Sequence, residues 1–211
     1  MRPSELIDPA ARQRLEGAIA EEETRTGGEI VVAVVGACGE YATGGWRLGV
    51  VLAALAFVGL GLFVRPLPWD AYLAAQAVAL LAGHGLARLE RVRRWLLPHH
   101  LAERRVFERA RRCFAEQGLT RTRARTGILI LAALLERRVV VLADEGIHRA
   151  LGPDESWSEV VDLAVHGMRH GRAGEGLEAA VRRCGELLAA HLPAPAQNPN
   201  ELPNAVVVLE D

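Results

Sequence analysis

The sequence contains no lysine; all 25 of its basic residues are arginine. That excludes a Schiff-base lysine and a P-loop lysine. Aromatic residues make up only 5%, and none are interleaved with the basic residues as a nucleic-acid surface requires. Net charge is −1, so no global charge argument for nucleic acid applies. The three cysteines, Cys38, Cys113 and Cys184, are odd in number and widely spaced. They form neither a disulfide framework nor a zinc-ligand pattern. As small apolar side chains they are expected to be buried, and free thiols fit a reducing compartment. Met1 to Gly28 is polar and does not read as a secretory signal.

What the chain does have is apolar residues, half of the total, and they are concentrated. Leu48 to Val64 and Ala71 to Ala87 carry no charged residue. Each reaches the lower end of membrane-spanning length. Arg65-Pro66-Leu67-Pro68-Trp69-Asp70 interrupts them with two prolines. Trp46, Trp69 and Tyr72 stand at the ends, where interfacial aromatics belong. Two neighbouring helices apolar on every face are expected to form a transmembrane hairpin rather than a soluble core. His84, near the end of its segment, is expected at the interface or against the other helix.

Charge is distributed unevenly. Residues 88–125 hold 12 Arg against 4 acids, whereas residues 126–211 hold 7 Arg against 13 acids. Arg88, Arg91, Arg93, Arg94, Arg104 and Arg105 follow the second apolar segment closely. By the positive-inside bias, both termini and the soluble part are cytoplasmic. The first half of this stretch is expected to meet anionic lipid head groups.

The remainder alternates helix and strand. Asp8-Pro9 is an N-cap followed by proline at the first helical position. Leu15, Ala18 and Ile19 form the apolar face, with Glu21–Glu23 expected on the wet side. Glu29 to Val35 is a β-branched run that reads as a buried strand. His99 to Gly118 is helical, with Leu101, Val106, Phe107, Ala110 and Phe114 on one face. Gly127–Leu135 and Arg138–Ala143 read as an antiparallel hairpin, and Asp144 to Ile147 as a turn. Ser156 to Glu159 has the capping-box spacing. Glu175 to His191 is amphipathic, and Ala205 to Leu209 is a short strand. The predicted order is α-β-(two spans)-α-β-β-α-α. Residues 1–45 and 88–211 form one discontinuous domain interrupted by residues 46–87.

That order, together with Thr26-Gly27-Gly28-Glu29-Ile30-Val31-Val32, the run from Thr120 to Ile147, Trp157, Gly176-Leu177 and Asn200-Glu201-Leu202-Pro203-Asn204, resembles the TPM domain family. The resemblance implies a three-layer α/β/α sandwich. Many relatives face away from the cytoplasm and carry one C-terminal span, whereas here the hairpin lies inside the domain. Family roles include repair of photosynthetic membrane complexes, acid phosphatase activity and receptor accessory functions, and some relatives hold metal with acids near Asp144.

Two readings of function follow. The first is a membrane-tethered interaction or maintenance module in a bacterial inner membrane, with the bilayer and another membrane protein as partners and no nucleic acid. The second is a divalent-metal-dependent phosphatase. For it, Asp144 and Glu145 could join Glu29, Glu136 or Asp154 to hold Ca or Mg, and Arg121, Arg123 and Arg125 could clamp phosphoryl oxygens. Arg91, Arg93 and Arg94 are the anionic-lipid candidates. No P-loop, paired strand-end aspartates or Cys-x5-Arg signature is present, so no catalytic residue is assigned. His166 and His170 have i, i+4 spacing but lack an HExxH glutamate, and are expected to be a surface pair.

Overall fold

The computed structural model describes residues 3, 7–39, 41–63, 68–151 and 157–209. The chain divides into two compact units, residues 39–102 and the remainder.

In the larger unit, α1 (Pro9–Arg25) begins as the sequence predicts, with the Asp8 side chain accepting the Ala11 amide. β1 (Glu29–Val35) follows and is buried along its whole length. β2 (Gly127–Ala133) lies parallel to β1, and β3 (Arg138–Ala143) runs antiparallel to β2. The last strand, β4 (Val207–Leu209), pairs in parallel with the second half of β1. The sheet order is β3-β2-β1-β4.

Alternate residues of the central strands face opposite cores, as strand geometry requires. Ile30, Val32, Val34, Ile128 and Ile130 pack with α1, α7 (Ser158–Arg169) and α8 (Ala173–His191). Val31, Val35, Leu129 and Leu131 pack with Val106, Ala110, Cys113 and Phe114 of α5 (His99–Glu116). This is the α/β/α sandwich that the resemblance implies. It also buries Cys113 and Cys184, as expected of small thiols.

Several local expectations change. Glu22 and Glu23 are buried, at 1% and 7% exposure, and only Glu21 of that acidic run faces water. At about 100° per residue, three successive helical positions cannot share one wet face. Glu22 fills the space that Gly185 leaves, where any Cβ would collide with its carboxylate. The strand hairpin turns over Leu134–Arg137, with Arg137 at φ 52°, rather than over two residues. Asp144 is followed at once by a helix, α6 (Glu145–Leu151), where a turn was expected. Ser156 and Asp154 lie outside the described residues; α7 starts after Trp157 with no side-chain cap.

In the smaller unit, α2 (Ala42–Phe63) starts six residues before the expected Leu48, and α3 (Trp69–Leu86) packs along it. The expected end at Val64 and the start of the break, residues 65–67, lie outside the described residues, and α3 starts two residues before the expected Ala71. A short α4 (Glu90–Trp95) follows. Among the described residues one stretch, residues 44–62 of α2, is long and apolar enough to cross a membrane by length and composition, and only 11% of it is buried. The sequence predicts two such stretches; Asp70, Gln76 and His84 dilute the second. Gly49 and Gly83 bring the two backbones together, since a Cβ on Gly49 would stand 2.7 Å from the Leu80 carbonyl. Small residues at helix contacts permit this approach. His84 stacks on Trp46 with ring centroids 4.7 Å apart, a helix contact as expected.

Candidate functional site

Three of the candidate carboxylates, Glu29, Asp144 and Glu145, lie at one end of the sheet, each in a separate role. Glu29 is in register with Gly127, and the Asp144 amide donates to the Gly127 carbonyl at 2.9 Å. Glu29 and Asp144 therefore stand two strands apart, about 9–10 Å between backbones.

Asp144 is 7% exposed. Its Oδ1 accepts the Glu145 amide at 2.8 Å, and its own carbonyl accepts the amides of Ile147 and His148, so the residue launches α6. Arg125 pairs with the same carboxylate, donating one hydrogen bond from Nη2 to Oδ1, while Oδ2 accepts none among the described residues. Nη2 lies 3.0 Å from Oδ1 and Nε 2.9 Å from Oδ2, a close ion pair.

The loop that carries Arg125 is held by its neighbours. Thr122 Oγ1 accepts the Thr126 amide at 3.1 Å and donates to the Leu119 carbonyl at 3.3 Å. Arg125 itself sits at φ 58°, a left-handed conformation uncommon for a residue with a Cβ. Its carbonyl accepts the Gly146 amide at 2.8 Å. A side chain on Gly146 would collide with the Ala124 and Arg125 carbonyls, so α6 can approach this loop only through glycine. The ion pair and the strained loop thus depend on each other.

Glu29 does different work. Its two oxygens accept the amides of Glu201 and Leu202, each at 3.2 Å, and so pin the C-terminal segment. Burial raises the Glu29 pKa, and those two amides pull it partly back. Glu201 in turn accepts the Arg123 amide at 3.0 Å. Glu145 is exposed, with Arg149 4.0 Å away. Glu136 lies at the opposite end of the sheet, where it accepts the Cys38 amide at 2.8 Å. Among the described residues no three His, Cys, Asp or Glu side chains converge to hold a metal ion.

The arginines separate likewise. Arg121 and Arg123 are exposed beside Arg125, whose side chain is 48% exposed. In the smaller unit Arg91 is exposed, while Arg93 and Arg94 are half-buried. His166 and His170 are an exposed stacked pair, ring centroids 4.2 Å apart.

The sequence does not single out Thr122 or Glu23 for any role. Spacing alone holds a hint for Thr122, four residues before Thr126, the helical-turn distance at which a hydroxyl reaches a backbone amide. Nothing local marks Glu23. Its Oε1 accepts the Ile30 amide at 2.8 Å, and burial pushes its pKa up to about 8.

Residues 96–187 match the family model described as the TPM domain. No curated protein matches the chain. Among solved structures, the fold is similar to the NMR structure of the BA42 protein from the psychrophilic bacterium Bizionia argentinensis. The TM-score is 0.59 at 17% identity, covering 95% of this chain and 94% of that one.

Proposed function

We propose that this protein is a TPM domain tethered to a bilayer by the helical pair α2–α3, and that the domain engages other membrane proteins in an interaction or maintenance role. The observation that carries the tether is the exposure of α2. Val50, Leu55, Phe57 and Leu62 are each more than half exposed on a helix long enough to span. On α3, Leu73, Val78 and Leu81 are equally open. Soluble proteins rarely leave contiguous apolar surface of this kind uncovered. The chain enters α2 shortly after β1 and returns into α5, so the tether is joined to the domain at both ends. Arg91, Arg93 and Arg94 follow the second helix, which supports a cytoplasmic domain at a bacterial inner membrane, in contact with anionic lipids.

The protein is expected to stay in the membrane fraction through alkaline carbonate extraction. In a background with the three native cysteines replaced, cysteines introduced within residues 66–70 should react with a membrane-impermeant maleimide on intact cells. Release by carbonate would end the tether reading. Labelling only after lysis would reverse the orientation.

The second reading, a Ca- or Mg-dependent phosphatase, is favoured by one feature: Asp144 and Arg125 lie together at a strand end, with Arg121 and Arg123 nearby. Against it, the Asp144 carboxylate is occupied by Arg125 and by the Glu145 amide, while Glu29 and Glu145 are committed elsewhere. Detergent-purified protein is expected not to turn over p-nitrophenyl phosphate with either cation. Turnover abolished by Asp144→Asn would establish the enzyme instead.

A further inference from the structure

We propose that a cleft in the smaller unit binds the phosphate group of an anionic head group, through Arg47 and Arg93. The cleft opens to solvent. It lies at the first turns of α2, where Gly44 and Gly45 form part of its wall without side chains, and Tyr41 and Leu96 line it as well.

Three features select an anion. First, Arg47 and Arg93 come from positions far apart in the chain, yet both line this one cleft, and among the described residues no acid lines it with them. Second, neither arginine makes an ion pair among the described residues, although most exposed arginines of the larger unit do. Arg93 Nε is also buried from solvent without a hydrogen-bond partner. Third, the cleft sits at the N-terminal end of α2, whose helix dipole is positive there.

Phosphate fits this set better than a single carboxylate. It presents several acceptor oxygens to two guanidinium forks and to a helix end at once. The setting points to a lipid as its source. The apolar stretch begins at residue 44 within the cleft wall, and Trp46 and Trp95 are exposed at 51% and 81%, as interfacial tryptophans are. This lipid source rests on the tether reading; the phosphate chemistry does not.

The test uses the full chain in a neutral detergent and isothermal calorimetry. Three probes are titrated: dihexanoyl phosphatidylglycerol, inorganic phosphate, and dihexanoylglycerol, which has no phosphate. The phospholipid should bind saturably and the phosphate-free lipid should not. Arg47→Gln and Arg93→Gln should each weaken binding at least tenfold. Arg169→Gln, an exposed position on α7, should change it less than twofold. Binding of inorganic phosphate with the same arginine dependence would keep the site and assign it a soluble ligand. No binding of either phosphate probe, equal binding of the phosphate-free lipid, or equal loss in Arg169→Gln would overturn the proposal. Should Arg93→Gln fail to fold, Arg47→Gln decides alone, since Arg47 is exposed. Because the measurement needs no bilayer, failure of carbonate resistance would remove the tether and leave the site standing.

Discussion

Stability should fall as pH rises from about 5 to 9, and Glu23→Gln should remove most of that fall. Glu23 lies against the start of β1, where β4 does not reach, because β4 pairs only with Ala33 to Val35. Its Oε1 therefore takes the Ile30 amide. Burial, reinforced by the neighbouring Glu29, raises its pKa from 4.5 to about 8 despite that hydrogen bond. A carboxyl whose folded pKa exceeds its unfolded value holds its proton more tightly in the native state. Its contribution is complete below pH 4.5 and is lost as pH climbs through 8. Glu22 and Glu29 shift the same way, each chiefly by burial. A shift of this size corresponds to roughly 2–4 kcal/mol. Urea midpoints should then drop by about 1–2 M between pH 5 and pH 9. Glutamine keeps the acceptor for Ile30 and removes the titration. Parallel pH profiles for the native protein and Glu23→Gln would show that this carboxyl does not govern the dependence.

Gly83→Leu should separate α2 from α3. A Cβ at this position would strike the Cα and N of Gly49 and come 2.9 Å from the Leu48 carbonyl carbon. All of these are backbone atoms, so no rotamer change relieves the clash. Overpacking of this kind costs roughly 1–3 kcal/mol or more where neighbours cannot move. Gly59→Leu is the matched control, because nothing lies within 4 Å of a Cβ built there. In detergent, Gly83→Leu should lower the melting temperature of the helical pair by several degrees, and Gly59→Leu should leave it near the native value. Trp46 fluorescence should shift in the first variant alone, since its ring rests on His84. Equal melting of the two variants would show that the glycine contact does not hold the pair together.

Both predictions concern residues whose type is plain in the sequence and whose setting is not. The strands β1, β2 and β3 are legible because β-branched and aliphatic runs report burial within a few residues. α1 is legible from Asp8-Pro9, and the apolar α2 from composition alone. The candidate site was legible only in part. The run from Thr120 to Ile147 located Asp144 and Arg125, but reading acids near a strand end as a cluster overlooked where each backbone amide lacks a partner. Glu29 serves the amides of the C-terminal segment, and Asp144 serves α6 and Arg125.

By itself, then, the sequence determined the strands, the longer helices, their order and the apolar α2, but not the short helices α4 and α6, because helix and strand periodicity is legible only over several residues. Tertiary structure alone decided that Glu22 and Glu23 turn inward, that Arg125 meets Asp144, and that Arg47 shares a cleft with Arg93. Those outcomes depend on which amides the sheet leaves unpaired and where a glycine opens space, and both are set only when distant segments pack together.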